Sequence, residues 1–409
     1  MRAFLDSGSK SVYHGPVKNQ VILKKNEDRR VLAGHQWVFS NELKAVQGSP
    51  ESGDVVELLR HDGKFLGVGF YHTGSLIAFR MLSLEREEIS FRFFEKRITD
   101  ALELRRRLFP GEETFRLVHG ESDFLPGLII DKFNEYLAVQ TLSAGMDRRL
   151  TLIGDVLESL FHPKALVERN ESPLRALEGL PATKSVLRGT LDQTIVSEGG
   201  VKFKIDLIGG HKTGAFLDQR ANRTTARRYC RDLSVLDCFC NEGAFSLQAA
   251  AGGAESVLGI DSSEPSIARA GVNAAINQMS NVSFQCADAF EALKAYRAKK
   301  RTFDVVILDP PSFARNKKTV ATALRAYGEI NGLAASLVAP GGFLITSSCS
   351  HHVSEAEFFG AVERALAKAG RLGRLIESAG ASPDHPTLVS MPETRYLKFG
   401  VFALSSRGS

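Results

Sequence analysis

From Ser234 to its end the chain repeats one pattern: a short apolar run, then a longer stretch whose apolar residues fall three and four apart. The short runs are SVLDCF, SVLGID, VSFQCAD, DVVILD and GFLITSSC. Behind them come AFSLQAAA, EPSIARAGVNAAINQ, AFEALKAYRA, VATALRAYGEINGLAASLV and SEAEFFGAVERALAKA. Runs this short fit buried strands, and the wider spacing fits one face of a helix. Strand and helix in alternation predict a mostly parallel sheet with helices on both faces. Two final strand-like runs, around RLIESAG and RYLKFGVFAL, have no long helix between them, so the last strand is expected to be antiparallel.

The chain before Ser234 is patterned differently. Between Val21 and Leu82 the runs VILKK, DVVELL, FLGVGFY and SLIAFRML alternate with the turn signals GSPESGD, HDGK and HTGS, which describes a small β domain. Next, Phe91, Phe94, Ile98, Ala101, Leu102 and Leu108 mark one helical face between Ile89 and Leu108. Arg92, Lys96, Arg97, Arg105, Arg106 and Arg107 make the other face basic. HGESDFLPGLIIDKF and YLAVQTLS read as two strands around Asn134 and Glu135, and a helix (DRRLTLIGDVLESLF) and a strand (ALVERN) complete an α+β insert. TIVSEGGVKFKIDL reads as a strand pair around Gly199 and Gly200.

Length fits this division, since 409 residues with 43% hydrophobic content exceed one ordinary domain. The expected segments are a polar tail over 1–20, the β domain over 21–84, the insert over 85–189 and the α/β domain over 190–409. A net charge of +5 permits a polyanionic partner without demanding one. Five cysteines without metal-ribbon spacing, in a chain lacking a charged-then-apolar leader, point to a reducing cytoplasm and to no metal site. No apolar run is long enough to predict a membrane span. A homodimer is left open.

Ligands of such sheets lie beyond the carboxyl ends of the strands. There the sequence places Asp237 with the turn CNEG, then Asp261, Asp288, Asp309-Pro310-Pro311 and Cys349. An acid at one strand end is often only a helix cap, but five functional groups in register form a set. The three-glycine turn of a dinucleotide site is absent from DCFCNEGAF, and GGHKTGAF lacks the Walker spacing. A nucleoside cofactor without phosphate fits better. S-adenosylmethionine needs acceptors for an ammonium, a ribose diol and an adenine amine, and Asp237, Asp261 and Asp288 stand in that order. Cys238 and Cys240, and likewise Cys230 and Cys286, read as small buried hydrophobes.

HKTGAFLDQRANR, VLDCFCNEGAFS, GIDSS, CADAF, DPPSF and SSCS together resemble the motifs of the RlmI-like family of 23S ribosomal RNA cytosine-5 methyltransferases. The likeness runs from about Val21 to the end, and the β domain is similar to that family's PUA domain. It implies a Rossmann-like class I methyltransferase domain with a seven-stranded sheet, behind a small β-barrel and a central α+β domain. It further implies that Asp237, Asn241 and Gly243 hold the methionine part of the cofactor, Asp261 the ribose and Asp288 the adenine, with Gln219 in the floor. Phe239, Ser262, Ala289 and Asp309 complete the implied cofactor set. Cys349 becomes the nucleophile and Asp309 its partner at the base.

Lys24, Lys25, Arg29, Arg30, Lys212, Arg220, Pro310 and Pro311 are the expected contacts to large-subunit ribosomal RNA. Many RNA cytosine-5 methyltransferases carry a second cysteine after the motif proline, where this chain has Ser312, so the base that removes the carbon 5 proton stays open among a water on Asp309, His351 and His352. Two other readings remain at this point: a guanine-directed methyltransferase of related fold, and a non-enzymatic RNA-binding assembly factor.

Overall fold

The computed structural model describes residues 19–210, 213–314 and 316–406. The chain divides into two compact units, one running to Leu191 and taking in Leu388–Pro392, the other formed by Asp192–Thr387 and the chain from Glu393.

The second unit is built on a seven-stranded sheet: β1 (Ser234–Cys238), β2 (Ser256–Asp261), β3 (Val282–Cys286), β4 (Phe303–Leu308), β5 (Val338–Ser348), β6 (Arg371–Ala379) and β7 (Lys398–Ser406). Their spatial order is β3-β2-β1-β4-β5-β7-β6. The first five pair with one another in parallel, and β7 runs antiparallel between β5 and β6. The pattern of apolar runs therefore yields the expected sheet. Strand order reverses between β1 and β4, the point at which sheets of this kind hold their ligand crevice, beyond the strand ends.

Alternation along the strands sorts side chains to two cores. Leu236, Cys238, Val306, Leu308 and Leu344 pack with Leu293, Tyr327, Ile330 and Phe358 on one face. Val235, Val305, Ile307 and Ile345 pack with Ala226, Phe245 and Ala249 on the other. Asp237 shares the parity of Val235, which directs it to the second face, toward the helix Ala244–Ala251.

The expected hairpin is present as Thr194–Glu198 paired with Val201–Ile205. Gly199 and Gly200, at φ +57° and +83°, turn it in the left-handed region that a two-residue hairpin loop requires. Asn277, at the end of the helix Glu264–Ile276, and Asn273, within it, accept from the amides of Lys202 and Lys204 at 2.8 and 2.9 Å, which covers that hairpin edge.

In the first unit, a six-stranded sheet spans Gln20–Leu23 to Ile77–Ser83 and a five-stranded sheet spans Thr114–His119 to Thr183–Gly189. The helix between them is Phe91–Leu108. Phe94, Ile98, Ala101 and Leu102 are buried as their spacing predicts, but Leu108 is exposed. Arg105, expected on the basic face, is instead fully buried. Its guanidinium meets Asp123 at 2.5 and 2.7 Å and donates to the carbonyl of Arg116 at 2.9 Å. The planar five-donor fork can satisfy itself in the interior because Asp123 supplies both acceptors.

Candidate active site

The turn leaving β1 is tight. Phe239, Asn241 and Gly243 have φ of +64°, +50° and +85°, so three of its residues lie in the left-handed region. Only glycine takes that conformation without cost, and at Gly243 a Cβ would also come within 2.9 Å of the Phe284 ring. Two bonds stabilise the strained pair: the Cys240 amide donates to the Ile260 carbonyl at 3.0 Å, and the Asn241 amide to Asp261 Oδ2 at 2.9 Å. Asp261 Oδ1 accepts from the Ser263 amide at 2.9 Å. One carboxylate thus ties the loops after β1 and β2 into a single wall.

Asp237 is fully buried. Its Oδ2 accepts from Ser246 Oγ at 2.6 Å, while Oδ1 is buried without a hydrogen-bond partner. Burial pushes its carboxyl up to about 7, against the pull of the Ser246 bond. An unfolded aspartate ionises near about 4. Between those values the folded state binds more protons, so stability falls as pH rises from about 4 to about 7 and levels off above. Asp237→Asn should flatten that slope in urea midpoints of the ligand-free protein. An unchanged slope would contradict the burial argument.

At the end of β4, Asp309 accepts at Oδ1 from Gln219 Nε2 at 2.7 Å and from Ser347 Oγ at 2.5 Å. Gln219 is oriented in turn by Asn222, whose Nδ2 donates to Gln219 Oε1 at 2.6 Å and to the Gly380 carbonyl at 3.0 Å. Burial pushes the Asp309 carboxyl above its ordinary value, and the bonds from Ser347 and Gln219 oppose it. The Arg223 cation favours its charged form, yet that guanidinium is engaged with Glu198 at 2.7 Å and with the Phe216 carbonyl at 3.0 Å. Asp309 is therefore held in place with a reduced drive to ionise.

Cys349 follows β5 and is partly exposed, with Sγ 3.9 Å from the Pro310 carbonyl oxygen. Its neighbours are pinned. Ser348 Oγ donates to Tyr327 Oη at 2.9 Å, and Ser350 Oγ lies 2.9 Å from Tyr327 Oη and 3.1 Å from Ser312 Oγ. The Ala314 amide also donates to Ser350 Oγ at 3.2 Å. This hydroxyl cluster locks the Cys349 turn to the Asp309-Pro310-Pro311-Ser312 turn. The Ser312 hydroxyl is part of that lock.

The crevice thus gathers Gln219, Asp237, Phe239, Asn241, Gly243, Asp261, Asp309, Pro310 and Cys349 around one end of the sheet. Asp288 stands at the end of β3 but is exposed and caps the helix Ala289–Ala298, accepting from the Glu291 amide at 3.0 Å. Ser262 is exposed, and Ala289, which follows Asp288 in sequence, is buried. Arg220 is buried at the start of its helix, and Pro311 is exposed. Lys212 lies outside the described residues. Cys230, Cys238 and Cys240 are buried as expected, whereas Cys286 is exposed, because β3 is the edge strand of the sheet.

Lys24, Lys25, Arg29 and Arg30 belong to the other unit. Lys24 Nζ donates to the Asn41 carbonyl at 2.7 Å, and Arg30 grips Glu42 at 2.6 and 2.9 Å while lying 4.8 Å over the Phe39 ring. Lys25 and Arg29 are exposed. His351 and His352 are exposed, and His351 stacks on Tyr396 at 4.8 Å. Among the described residues no cluster of His, Cys, Asp and Glu is placed to hold a metal, and no helix is long and apolar enough to cross a membrane.

Residues 21–84 match a PUA-like domain family, and residues 181–389 match the S-adenosylmethionine-dependent methyltransferase family. A protein of Vibrio vulnificus strain YJ016 named ribosomal RNA large subunit methyltransferase I is 38% identical over 92% of this chain and 97% of its own length. The chain belongs to the ribosomal RNA large subunit methyltransferase I family. A protein of that name from Vibrio parahaemolyticus has the same identity and coverage.

The family fold is also seen in a putative methyltransferase of Streptococcus mutans, with a TM-score of 0.80 at 20% identity over 94% of this chain and 99% of that one. A putative methyltransferase crystallised with S-adenosylhomocysteine gives a TM-score of 0.82 at 21% identity over the same shares. This member of the family is an S-adenosylmethionine-dependent enzyme. Its crevice fits that cofactor, since Asp237 Oδ1 is a buried acceptor waiting for a donor and the β1 turn is backbone-strained in the way a close ligand approach needs.

Sequence reasoning missed Ser347, Asn222, Arg223 and Tyr327. SSCS carried a signal for Ser347, a hydroxyl of the same strand parity as the cysteine.

Proposed function

We propose that the enzyme forms 5-methylcytosine in large-subunit ribosomal RNA through a covalent bond between Cys349 and carbon 6 of the target base. The observation that carries this reading is a partly exposed cysteine at the end of β5 within 3.9 Å of the Pro310 carbonyl, next to an aspartate held by Gln219 and Ser347. The name of the Vibrio relatives supports the ribosomal substrate. Cytoplasmic action follows from that substrate.

Carbon 5 of cytosine is too weak a nucleophile to take a methyl group directly. Addition of the Cys349 thiolate to carbon 6 moves the ring electrons toward carbon 5 and makes it an enamine carbon. Asp309 keeps both protein donors on Oδ1; as the carboxylic acid its Oδ2 donates a proton toward N3 of the base and offsets the negative charge that develops there. S-adenosylmethionine supplies an electrophilic methyl group. Once carbon 5 carries the methyl, a base removes its proton, the electrons restore the ring double bond and the carbon–sulfur bond breaks. With His351 stacked on Tyr396 and Asp309 beside the base, a water on Asp309 is the base this reading favours.

S-adenosylmethionine would be held by Asp237, Asn241 and Gly243 at its methionine end, by Asp261 at the ribose and by Asp288 and Ala289 at the adenine. Among the proposed RNA contacts, Lys25 and Arg29 are exposed for phosphate, whereas Arg30 already serves Glu42. Bisulfite sequencing of ribosomal RNA from cells lacking the protein should show one large-subunit cytosine losing its protection. A complete and unchanged pattern would overturn the substrate assignment.

A further inference from the structure

Lys398 brings an ammonium into the interior next to the proposed nucleophile. It sits on β7 opposite Ser348 in register and is 4% exposed. Its Nζ donates to the Ser350 carbonyl at 2.6 Å and to the Tyr396 carbonyl at 2.8 Å. Both acceptors are neutral. The charged or titratable groups facing it are Cys349 from the turn after β5, Glu355 and Glu357 from the helix Glu355–Lys368, and Arg395 from the approach to β7.

The two carboxylates have other duties, Glu355 pairing with Arg395 and Glu357 accepting from the amide and hydroxyl of Ser354. A buried cation bonded only to carbonyls is costly unless an anion comes close. Burial pushes Lys398 down to about 8, and the largest influence in the opposite direction comes from Cys349.

We propose that Lys398 is the positioning residue that stabilises the Cys349 thiolate and fixes its turn through the Ser350 carbonyl. This rests on Cys349 being the nucleophile. The Cys349 thiol gives its proton to solvent, and the sulfur electron pair that remains is available to carbon 6. Lys398 keeps its proton throughout. When the carbon–sulfur bond later breaks, the electrons return to sulfur and the same ammonium receives the thiolate. A nearby cation both raises the thiolate fraction at neutral pH and makes the sulfur a better leaving group.

The test is the pH dependence of Cys349 alkylation by iodoacetamide in the full-length protein, read by peptide mass so that exposed Cys286 is scored separately. The wild-type midpoint should lie below the free-thiol value of about 8.5. Lys398→Met should raise it by about one unit, slowing alkylation about tenfold at neutral pH, and Lys398→Arg should restore most of the shift. An unchanged midpoint in Lys398→Met overturns the proposal. Should that variant not fold, a wild-type midpoint at or above the free-thiol value overturns it equally. No RNA or cofactor enters this assay, so its failure is distinct from a failure of the cytosine reading, which shows instead as activity without Cys349.

Discussion

Cys349→Ala should lose methyl transfer to ribosomal RNA on the order of a thousandfold or more while binding S-adenosylmethionine normally. The magnitude follows from the chemistry, because without a thiolate at carbon 6 the carbon 5 position has no electron density to offer and the barrier rises by several kcal/mol. Cofactor binding should survive, since Asp237, Asn241 and Asp261 lie on β1, β2 and their loops, and their bonds do not involve Cys349. Tritium transfer from labelled cofactor, beside a calorimetric titration, separates the two effects. A guanine-directed enzyme of this fold needs no thiol and would keep most of its activity in the variant. Retained turnover would therefore remove the covalent mechanism and leave the fold assignment standing.

Asp309→Ala should cost about 10²- to 10⁴-fold in single-turnover methyl transfer, the usual range for a positioned acid or base. Two causes add. The target base loses the group that offsets charge at N3, and Gln219 Nε2 and Ser347 Oγ lose their shared acceptor. The second cause also lowers stability, by about 0.5–1.5 kcal/mol per lost bond, since Gln219 Nε2 keeps Ser347 Oγ and Ser347 Oγ keeps the Leu308 carbonyl as acceptors. Asp309→Asn discriminates between them, since its amide oxygen still accepts from Gln219 and Ser347 while its nitrogen donates to the base. Its activity should fall between alanine and wild type, with stability near wild type. Equal activity in all three proteins would exclude Asp309 from the chemistry.

Much of the site could be read from the chain because it rests on local pattern. Each strand of the parallel set is a short apolar run ending in a polar residue, so Asp237, Asp261, Asp309 and Cys349 could be placed at one sheet end before any contact was known. What escaped reading depends on partners distant in sequence. Arg105 looked like one of six basic surface residues, and only Asp123, folded over it, makes burial tolerable. The bonds from the Gln219 amide to Asp309 and Ser347, residues 90 and 128 positions further along the chain, could not be read from its neighbours in sequence.

Lys398 was hidden in RYLKFGVFAL, where a single lysine in a strand would ordinarily face water. The insertion of β7 between β5 and β6 is what carries it inside. Cys286 shows the converse, since a cysteine in an apolar run stays exposed when its strand forms the sheet edge.

The covalent step can be trapped. RNA carrying 5-fluorocytosine at the target has no carbon 5 proton to give up, so the adduct should persist after methyl transfer, and mass analysis of the digested complex should place the nucleotide on the peptide containing Cys349. A methylated product with no protein-bound nucleotide, or a nucleotide bound to a different residue, would contradict the account.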